Sequence, residues 1–277
     1  MRDQAAVLRQ MPSAERRPVA HVERGPSTVV VASGKGGAGK SVVSILLATT
    51  MAEEGRHVLL LEGDQNRGSL HVLLGVSRIP RLESLVTGEA SPADLLTPVT
   101  DGLSLLSGDS GAEVLYALGE VDRARLHQRL NGLYDRFDAV VIDAGADLQG
   151  VVRVTAMGAT RMILLTLPEP AALIDAYAVM KMVHLRVPTL PIDLLVNRVM
   201  SASEGQRAFE RLAASARRFL NYELGYLGAL PEEDSVRTAV RTPGGLLRPI
   251  KNSAVARVLR RAVGSSADLR KVAAIGG

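Results

Sequence analysis

A glycine-rich motif between a strand pattern and a helix pattern most constrains how this chain can fold. The segment "TVVVA" (28–32) is a short apolar, mostly β-branched run, typical of a buried strand. The segment "SGKGGAGKS" (33–41) follows directly and contains the pattern G-x-x-x-x-G-K-[ST], and residues 41–54 then have helical character as far as Gly55. Glycines let backbone N–H groups turn toward phosphate oxygens, and the helix N-terminus adds partial positive charge. This order predicts a phosphate-binding loop, or P-loop.

The rest of the chain alternates strand patterns with helix patterns. Apolar segments predict further strands at 57–61, 102–106, 137–143, 161–167, 191–197 and 224–230, and helical patterns lie near 122–133, 171–184 and 204–220. Apolar strands that alternate with amphipathic helices favour a parallel sheet covered on both faces. We therefore predict an α/β fold with a mostly parallel, twisted β-sheet flanked by helices on both faces. Such sheets bind their ligands at the carboxyl ends of the strands.

The chain begins with a short helical pattern that is separated from the predicted domain. Asp3 is a suitable N-cap and apolar residues follow at three-residue spacing, so residues 1–11 predict a short helix. Residues 12–27 contain three prolines among charged residues and predict a flexible linker. A helix this short is marginal in water unless it packs on a surface. It is therefore either a frayed terminus or a segment that binds a partner.

One domain is predicted after the linker, at residues 28–264, because no internal repeat or second boundary interrupts this part of the sequence. Residues 265–277 are predicted to form a basic tail. From Ser235 to the end there are nine Lys and Arg residues but a single acid, Asp268. Such a segment suits an anionic lipid, a nucleic acid or an acidic protein surface as its partner, and a solvated helical face is an equally good interpretation.

The composition excludes several classes of site. The sequence contains no Cys, so it offers neither disulfides nor thiolate metal ligands, which suits a cytoplasmic protein. It contains no Trp and only 3% aromatic residues, which disfavours a nucleic-acid module built on base stacking. The N-terminus lacks the apolar stretch of a secretory signal, and no segment reaches the roughly 18 apolar residues of a membrane span. We expect a cytoplasmic location, with peripheral contact to the inner face of the cytoplasmic membrane as an additional expectation.

The P-loop pattern assigns roles to its residues. Lys40 is predicted to reach the β- and γ-phosphates of a nucleotide, and the Ser41 hydroxyl is predicted to bind Mg²⁺. The residues predicted to surround the phosphates are Gly34, Lys35, Gly36, Gly37, Ala38, Gly39, Lys40 and Ser41.

Lys35 is a second lysine early in this loop, five residues before Lys40. A lysine at that position could reach phosphates bound by a facing subunit. The segment resembles the deviant Walker A motif, KGGxGK[ST], of the MinD/ParA class of dimerising P-loop ATPases. The resemblance implies ATP and Mg²⁺ as cofactors, a homodimer in the ATP-bound state, and contact of Lys35 with ATP across that dimer.

More of the MinD/ParA pattern follows along the chain. Glu62 and Asp64 end the second predicted strand where the class has D-x-D, and the resemblance implies that Asp64 acts at the attacking water. Asp143 ends another strand and is similar to the Walker B acid, which binds Mg²⁺ through its water shell. Asn197 and Pro231 match the residues that contact the adenine. An Asp or Asn at the end of a strand is more often a helix cap or a turn former. The assignment therefore depends on these residues following the P-loop in the same order as in the MinD/ParA class.

Two acids after the strand at 161–167 resemble residues of the family's dimer face, namely Glu169 and Asp175. Capping of a helix N-terminus is an equally good interpretation of both. The sequence also departs from the family pattern. Glu62 replaces the usual Asp, and Asp147 stands where the family has Gly. Both departures put the rate of hydrolysis in question.

Longer segments resemble the FlhG family, also called FleN, of flagellar number regulators. The segments "LPEPAALIDAYAVMK" (167–181) and "GALPEEDSVRTAVR" (228–241) are similar to the family's "PEPTSITDAYALIK" and "GxVPYDESVRKAV". The N-terminal "DQAAVLR" (3–9) matches its activator motif, D-Q-A-x-x-L-R. On these terms the first helix is a tethered ligand rather than a frayed end.

This resemblance implies a set of partners. Asp3, Gln4, Leu8 and Arg9 would bind and stimulate FlhF, a GTPase of the signal-recognition type. Flagellar C-ring proteins and a flagellar transcription regulator are further implied partners, and membrane contact through the basic tail would be weak because the tail lacks Phe and Trp.

Two other functions remain as alternatives. The first is a ParA- or MinD-type ATPase for DNA partitioning or division-site placement. DNA binding through the basic tail would then weaken steeply with salt. The second is a nucleotide-binding scaffold whose altered acids have slowed hydrolysis.

Overall fold

The computed structural model describes residues 26–63, 70–77, 84–85, 88–106, 132–145, 148–156, 158–248 and 253–272. The predicted N-terminal helix, most of the predicted helix at 122–133, Asp64 and Asp147 lie outside these residues. The predicted linker lies outside them as well, apart from its last two residues.

The described strands form one eight-stranded sheet in the order β3-β4-β2-β5-β1-β6-β7-β8. The strands are β1 (Ser27–Ser33), β2 (Val58–Gly63), β3 (Thr97–Thr100), β4 (Leu103–Leu106), β5 (Ala139–Ala144), β6 (Arg161–Thr166), β7 (Ile192–Val199) and β8 (Gly225–Pro231). Every neighbouring pair is parallel except β3 and β4 at one edge. The helices are α1 (Lys40–Glu53), α2 (Leu70–Leu74), α3 (Leu148–Ala156), α4 (Pro170–Arg186), α5 (Ala202–Leu220), α6 (Asp234–Val240) and α7 (Ala254–Val272).

Alternate residues of the central strand β1 belong to two separate hydrophobic clusters. Val29 and Val31 belong to the cluster beneath α1 and α7, whereas Val30 and Ala32 belong to the cluster beneath α3, α4 and α5. All four side chains are buried, because successive side chains of a strand point to opposite faces and helices cover both faces. The predicted α/β class with helices on both faces of a mostly parallel sheet is confirmed.

Among the described strands, β3 is the one that the apolar patterns do not predict, and they also leave α2, α3, α6 and α7 unpredicted. Strand β3 spans four residues, includes Pro98, and alternates between half-buried and exposed positions. Proline cannot donate a ladder hydrogen bond and is tolerated at a sheet edge, where one side of the strand needs no partner. The antiparallel pairing with β4 follows from the short turn that joins the two strands.

The long C-terminal helix α7 is part of the domain. Its apolar residues Val255, Leu259, Ala262 and Val263 are buried in the cluster that contains α1. Its backbone continues beyond residue 264 to Val272, into the segment described above as a basic tail. Among the residues that the structure describes, no helix is both long enough and apolar enough to cross a membrane.

Candidate nucleotide-binding site

The P-loop connects the carboxyl end of β1 to the N-terminus of α1. Gly37 and Gly39 have φ angles of 77° and 98°, a left-handed conformation that glycine adopts without strain. Gly39 is the N-cap of α1, and Val43 N–H donates to its carbonyl at 3.0 Å. The loop therefore presents backbone N–H groups and a helix N-terminus in one place, which is an anion-binding arrangement.

The P-loop also packs against the first turns of α4. A Cβ at Gly34 would collide with the backbone carbonyl group of Asp175. Glycine is thus required at this position by close approach of two backbone segments. The contact places Asp175, predicted at the dimer face, directly beside the loop.

Lys40 and Asp143 meet beneath the P-loop. Lys40 Nζ lies 4.0 Å from Asp143 Oδ1, and the Asp143 side chain is only 3% exposed. Ser44 Oγ lies 3.1 Å from the same carboxylate oxygen and 3.0 Å from the Lys40 carbonyl oxygen, and its single hydrogen is shared between these two acceptors. Burial raises the pKa of Asp143, while the Lys40 charge and hydrogen bonds from Ser41 and Ser44 oppose the rise.

Glu62 lies opposite Asp143 in the β2–β5 ladder and is 4% exposed. The negative charge of Glu62 adds to the rise in the pKa of Asp143. Glu62 Oε1 accepts a hydrogen bond from the Leu70 backbone N–H at 2.9 Å, where α2 begins. The longer side chain that replaces the family's Asp therefore spans from β2 to the first residue of α2.

The residues beneath the loop fit Mg²⁺. The Ser41 hydroxyl and the Asp143 carboxylate provide the oxygen ligands that this hard cation prefers, and Mg²⁺ usually keeps several waters and takes further oxygens from phosphates. Within the described part of the chain, no group of three or more His, Asp or Glu residues forms a protein-only metal site. The arrangement thus suits a metal that is bound together with a nucleotide.

Lys35 lies on the outer side of the P-loop. Its Nζ is 3.3 Å from Glu169 Oε2, and the two side chains are 43% and 56% exposed. Glu169 is the N-cap residue of α4, but its side chain makes no capping hydrogen bond. Lys35 and Glu169 therefore share an exposed surface beside the loop, and the half-buried Asp175 lies against the same loop at Gly34.

Asn197 reaches the P-loop from β7. Its Nδ2 donates to the Ala38 carbonyl oxygen at 2.8 Å. Pro231 ends the neighbouring strand β8 and pairs with Val199. The two residues predicted to contact the base therefore lie at the carboxyl ends of adjacent strands, on the same edge of the sheet as the P-loop.

Two further polar residues were not found by sequence reasoning. Ser44 supports Asp143, and its only signal in the sequence is a polar residue on the buried stripe of α1. Glu233, just after β8, accepts from the backbone N–H groups of Ala254 and Val255 at 2.7 and 3.2 Å. Partial burial alone would raise the pKa of Glu233, but its hydrogen bonds, including one from Ser253, lower it. Glu233, in the loop beside the predicted base site, therefore caps the N-terminus of α7.

Comparisons with known proteins place this chain among P-loop NTPases. The family model ParA, described as NUBPL iron-transfer P-loop NTPase, matches residues 26–263. The antiactivator FleN of Pseudomonas aeruginosa is 32% identical over 213 residues, which is 77% of this chain and 76% of that protein. The flagellum site-determining protein YlxH of Helicobacter pylori is 29% identical over 214 residues, covering 77% of this chain and 72% of that protein. Iron–sulfur chemistry relies on thiolate ligands, which this sequence lacks because it has no Cys.

Solved structures match over most of the chain. The cell division ATPase MinD of Pyrococcus furiosus has a TM-score of 0.70 at 25% identity, covering 90% of this chain and 100% of that chain. MinD of Pyrococcus horikoshii complexed with Mg-ADP has a TM-score of 0.68 at 22% identity, covering 91% and 99%. At 22% identity, the similarity to the Pyrococcus horikoshii structure establishes the fold alone.

Proposed function

The chain belongs to the ParA family of P-loop NTPases and to its FleN/FlhG branch, and we propose that it is an ATP-dependent, dimerising ATPase that controls flagellar number or placement. The observation that carries this proposal is the P-loop with two lysines in different positions. Lys40 lies beneath the loop beside buried Asp143, whereas Lys35 lies outside it on an exposed face. This arrangement supports a role for Lys40 at the chain's own phosphates and a role for Lys35 at those of a facing copy.

Hydrolysis on this site needs neutralisation of phosphate charge and an oriented water more than covalent chemistry. With nucleotide bound, Lys40 would leave Asp143 and contact the β- and γ-phosphates, while Ser41 and, through the water shell, Asp143 would hold Mg²⁺. The metal supplies additional positive charge to the phosphate oxygens when it is bound. Asp64 orients the attacking water, and Asn197 and Pro231 bind the adenine.

Dimerisation completes the site in this proposal. Two copies associate through the face that carries Lys35, Glu169 and Asp175, and each Lys35 leaves Glu169 to contact the nucleotide of its partner. The exposure of the Lys35–Glu169 pair supports this exchange, because an exposed ion pair stabilises a structure by only about 0–1 kcal/mol. A phosphate held in a water-poor interface attracts the ammonium group more strongly.

In this proposal, the N-terminal helix is the segment that acts on partner proteins. Asp3, Gln4, Leu8 and Arg9 bind and stimulate an FlhF-type GTPase, while flagellar C-ring proteins and a flagellar transcription regulator are further partners. We place the protein in the cytoplasm. Since the apolar face of α7 is buried against α1, contact with an anionic membrane rests on charge, through exposed residues such as Arg260 and Arg261.

A scaffold with slow hydrolysis is the second candidate, and Glu62 favours it. This carboxylate is buried beside Asp143 and accepts a hydrogen bond from the Leu70 backbone N–H. It therefore adds negative charge where phosphate and Mg²⁺ would bind. A scaffold would bind ATP and dimerise but release little phosphate.

Light scattering during size-exclusion chromatography, combined with phosphate release, tests the proposal. We expect a monomer without nucleotide and with Mg-ADP, and a dimer with Mg-ATP.

Lys40→Ala should abolish nucleotide binding in calorimetry, because the triphosphate loses its main charge partner. Asp64→Ala should bind ATP and accumulate as a dimer with little phosphate release. Unchanged nucleotide affinity of Lys40→Ala would refute the P-loop assignment, and a dimer with negligible turnover in the wild type would select the scaffold.

A further inference from the structure

The side chain of Asn197 is in direct contact with the backbone of the P-loop. Besides the hydrogen bond from Nδ2 to the Ala38 carbonyl oxygen, a Cβ placed on Gly39 would lie 2.6 Å from the same nitrogen. The amide therefore fills the space beside the N-cap of α1. The two partners are 159 residues apart in the chain, so this contact joins β7 to the P-loop that follows β1.

The orientation of this amide is set by a second hydrogen bond. Asn197 Oδ1 accepts from the Arg198 backbone N–H at 2.9 Å. Arg198 has a φ angle of 55°, which is unusual for a residue with a side chain, and the β7–β8 register shifts between Asn197 and Val199. The irregular end of β7 thus turns the oxygen toward its own strand and the nitrogen toward the loop. An amide group has two N–H donors and two acceptor lone pairs, so these bonds leave one of each for a base.

From this geometry we infer that Asn197 is a positioning residue for the P-loop, whether or not a base is bound. A trans peptide directs its C=O and the following N–H to opposite sides. Holding the Ala38 carbonyl toward Asn197 therefore directs the Gly39 N–H away from it, toward the side where the phosphates bind. The inference rests on the proposed function in that the loop is taken to bind phosphate. It adds that one side chain links recognition of the base to the shape of the phosphate cradle.

A ligand that has phosphates but no base separates the two roles. We would measure the affinities of Mg-tripolyphosphate and Mg-ATP by calorimetry for the wild type, Asn197→Ala and Pro231→Ala. Asn197→Ala should weaken tripolyphosphate binding by about fivefold, the effect of one hydrogen bond, and should weaken ATP binding further. Pro231→Ala is the matched control, because it changes the base site without touching the loop. It should weaken ATP binding and leave tripolyphosphate binding unchanged.

Hydrogen exchange in the nucleotide-free protein supplies a second measurement. Peptides that cover residues 34–44 should exchange faster in Asn197→Ala than in the wild type, while peptides from α4 should not change. Asn197→Asp is nearly isosteric and keeps the acceptor for Arg198 but loses the donor to Ala38. It should therefore reproduce the faster exchange even if the alanine variant folds poorly.

Unchanged exchange at residues 34–44 in both variants, or an unchanged affinity of Asn197→Ala for tripolyphosphate, would overturn the inference. If the wild type binds neither ATP nor tripolyphosphate, the proposed function fails. The exchange measurement still decides whether Asn197 holds the loop, since it requires no ligand.

Discussion

Lys35 Nζ and Glu169 Oε2 lie 3.3 Å apart within one chain, although the two residues are 134 positions apart in the sequence. The pair holds the outer lysine of the P-loop against the first turn of α4. In the proposed dimer, Glu169 would therefore compete with a phosphate of the facing subunit for the same ammonium group. The consequence is that ATP-driven dimerisation should respond to changes at both residues, and in opposite directions.

Lys35→Ala should bind Mg-ATP with nearly wild-type affinity and remain a monomer, because it loses only the cross-subunit charge. Light scattering in ATP measures the mass, and calorimetry measures the affinity. Normal dimerisation of this variant would show that Lys35 does not act across the interface.

Glu169→Gln should strengthen ATP-dependent dimerisation by up to about thirtyfold, since each of the two subunits loses an exposed competitor whose interaction is at most about 1 kcal/mol. Sedimentation at several protein concentrations gives the dimer dissociation constant. The double variant Lys35→Ala/Glu169→Gln is the control and should stay monomeric. A weaker dimer in Glu169→Gln alone would mean that Glu169 contributes more to the interface than it takes away.

Asp143→Asn should stabilise the nucleotide-free protein at neutral pH while weakening Mg²⁺-dependent nucleotide binding. Burial raises the pKa of Asp143 despite Lys40 and two serines, so the charged carboxylate is a net cost to the folded state. We therefore expect a higher free energy of unfolding for the variant than for the wild type at pH 7. Thermal unfolding in EDTA measures the gain, and a less stable variant at pH 7 would contradict the expectation.

The pH dependence of this gain follows from the sign of the shift. The folded state binds the Asp143 proton more tightly than the unfolded state, so the contribution of Asp143 to stability falls as pH rises from the ordinary value of 3.8 through the raised pKa. Above that window the stability difference between Asp143→Asn and the wild type is largest. It should shrink as pH falls toward 3.8, where the carboxyl group becomes protonated in both states.

Glu233→Ala should destabilise the protein by about 1 kcal/mol, a typical effect for loss of a helix N-terminal cap. Because the pKa of Glu233 is lowered in the folded state, its contribution is present above the ordinary value of 4.5 and is lost as pH falls through the lowered pKa. Glu232→Ala, at the exposed neighbouring position, is the matched control and should change stability by less than about 0.5 kcal/mol. Equal effects of the two substitutions on the melting temperature at pH 7 would argue against the cap.

The sheet could be predicted because buried parallel strands are continuous apolar runs in the sequence. Seven of the described strands correspond to such runs, whereas the edge strand Thr97–Thr100 is short, half exposed and contains Pro98. Helix α5 was predictable for a related reason, since Leu212, Ala213 and Ala216 recur at helical spacing and are buried.

The P-loop could be predicted because its residues are consecutive, and their spacing alone encodes the turn. The long-range hydrogen bonds that support the site residues could not be predicted from the sequence. Ser44 meets Asp143 across 99 residues, and Glu233 meets Ala254 across 21 residues. Such pairs depend on which strands and helices the fold brings together, and neither residue type nor local spacing reports that.

Deletion of residues 1–20 should leave the fold, ATP binding and ATP-driven dimerisation nearly intact, but it should abolish stimulation of an FlhF-type GTPase. The described hydrophobic clusters use residues from Val29 onward, so a segment before the linker can be removed without opening them. A synthetic peptide of residues 1–20 should stimulate alone but at higher concentration, because ordering on binding costs conformational entropy. GTP turnover would be measured with the full chain, the deletion and the peptide.

A peptide with Gln4→Ala tests the chemistry of the same helix. An uncharged amide can donate and accept, so Gln4 is suited to orient water or phosphate in the GTPase, while Leu8 and Arg9 dock the helix. The Gln4→Ala peptide should therefore still compete with the wild-type peptide for binding but should not raise turnover. If the deletion variant stimulates as well as the intact chain, the first helix is not the activator. The chain would then be a ParA-family ATPase whose output passes through another surface.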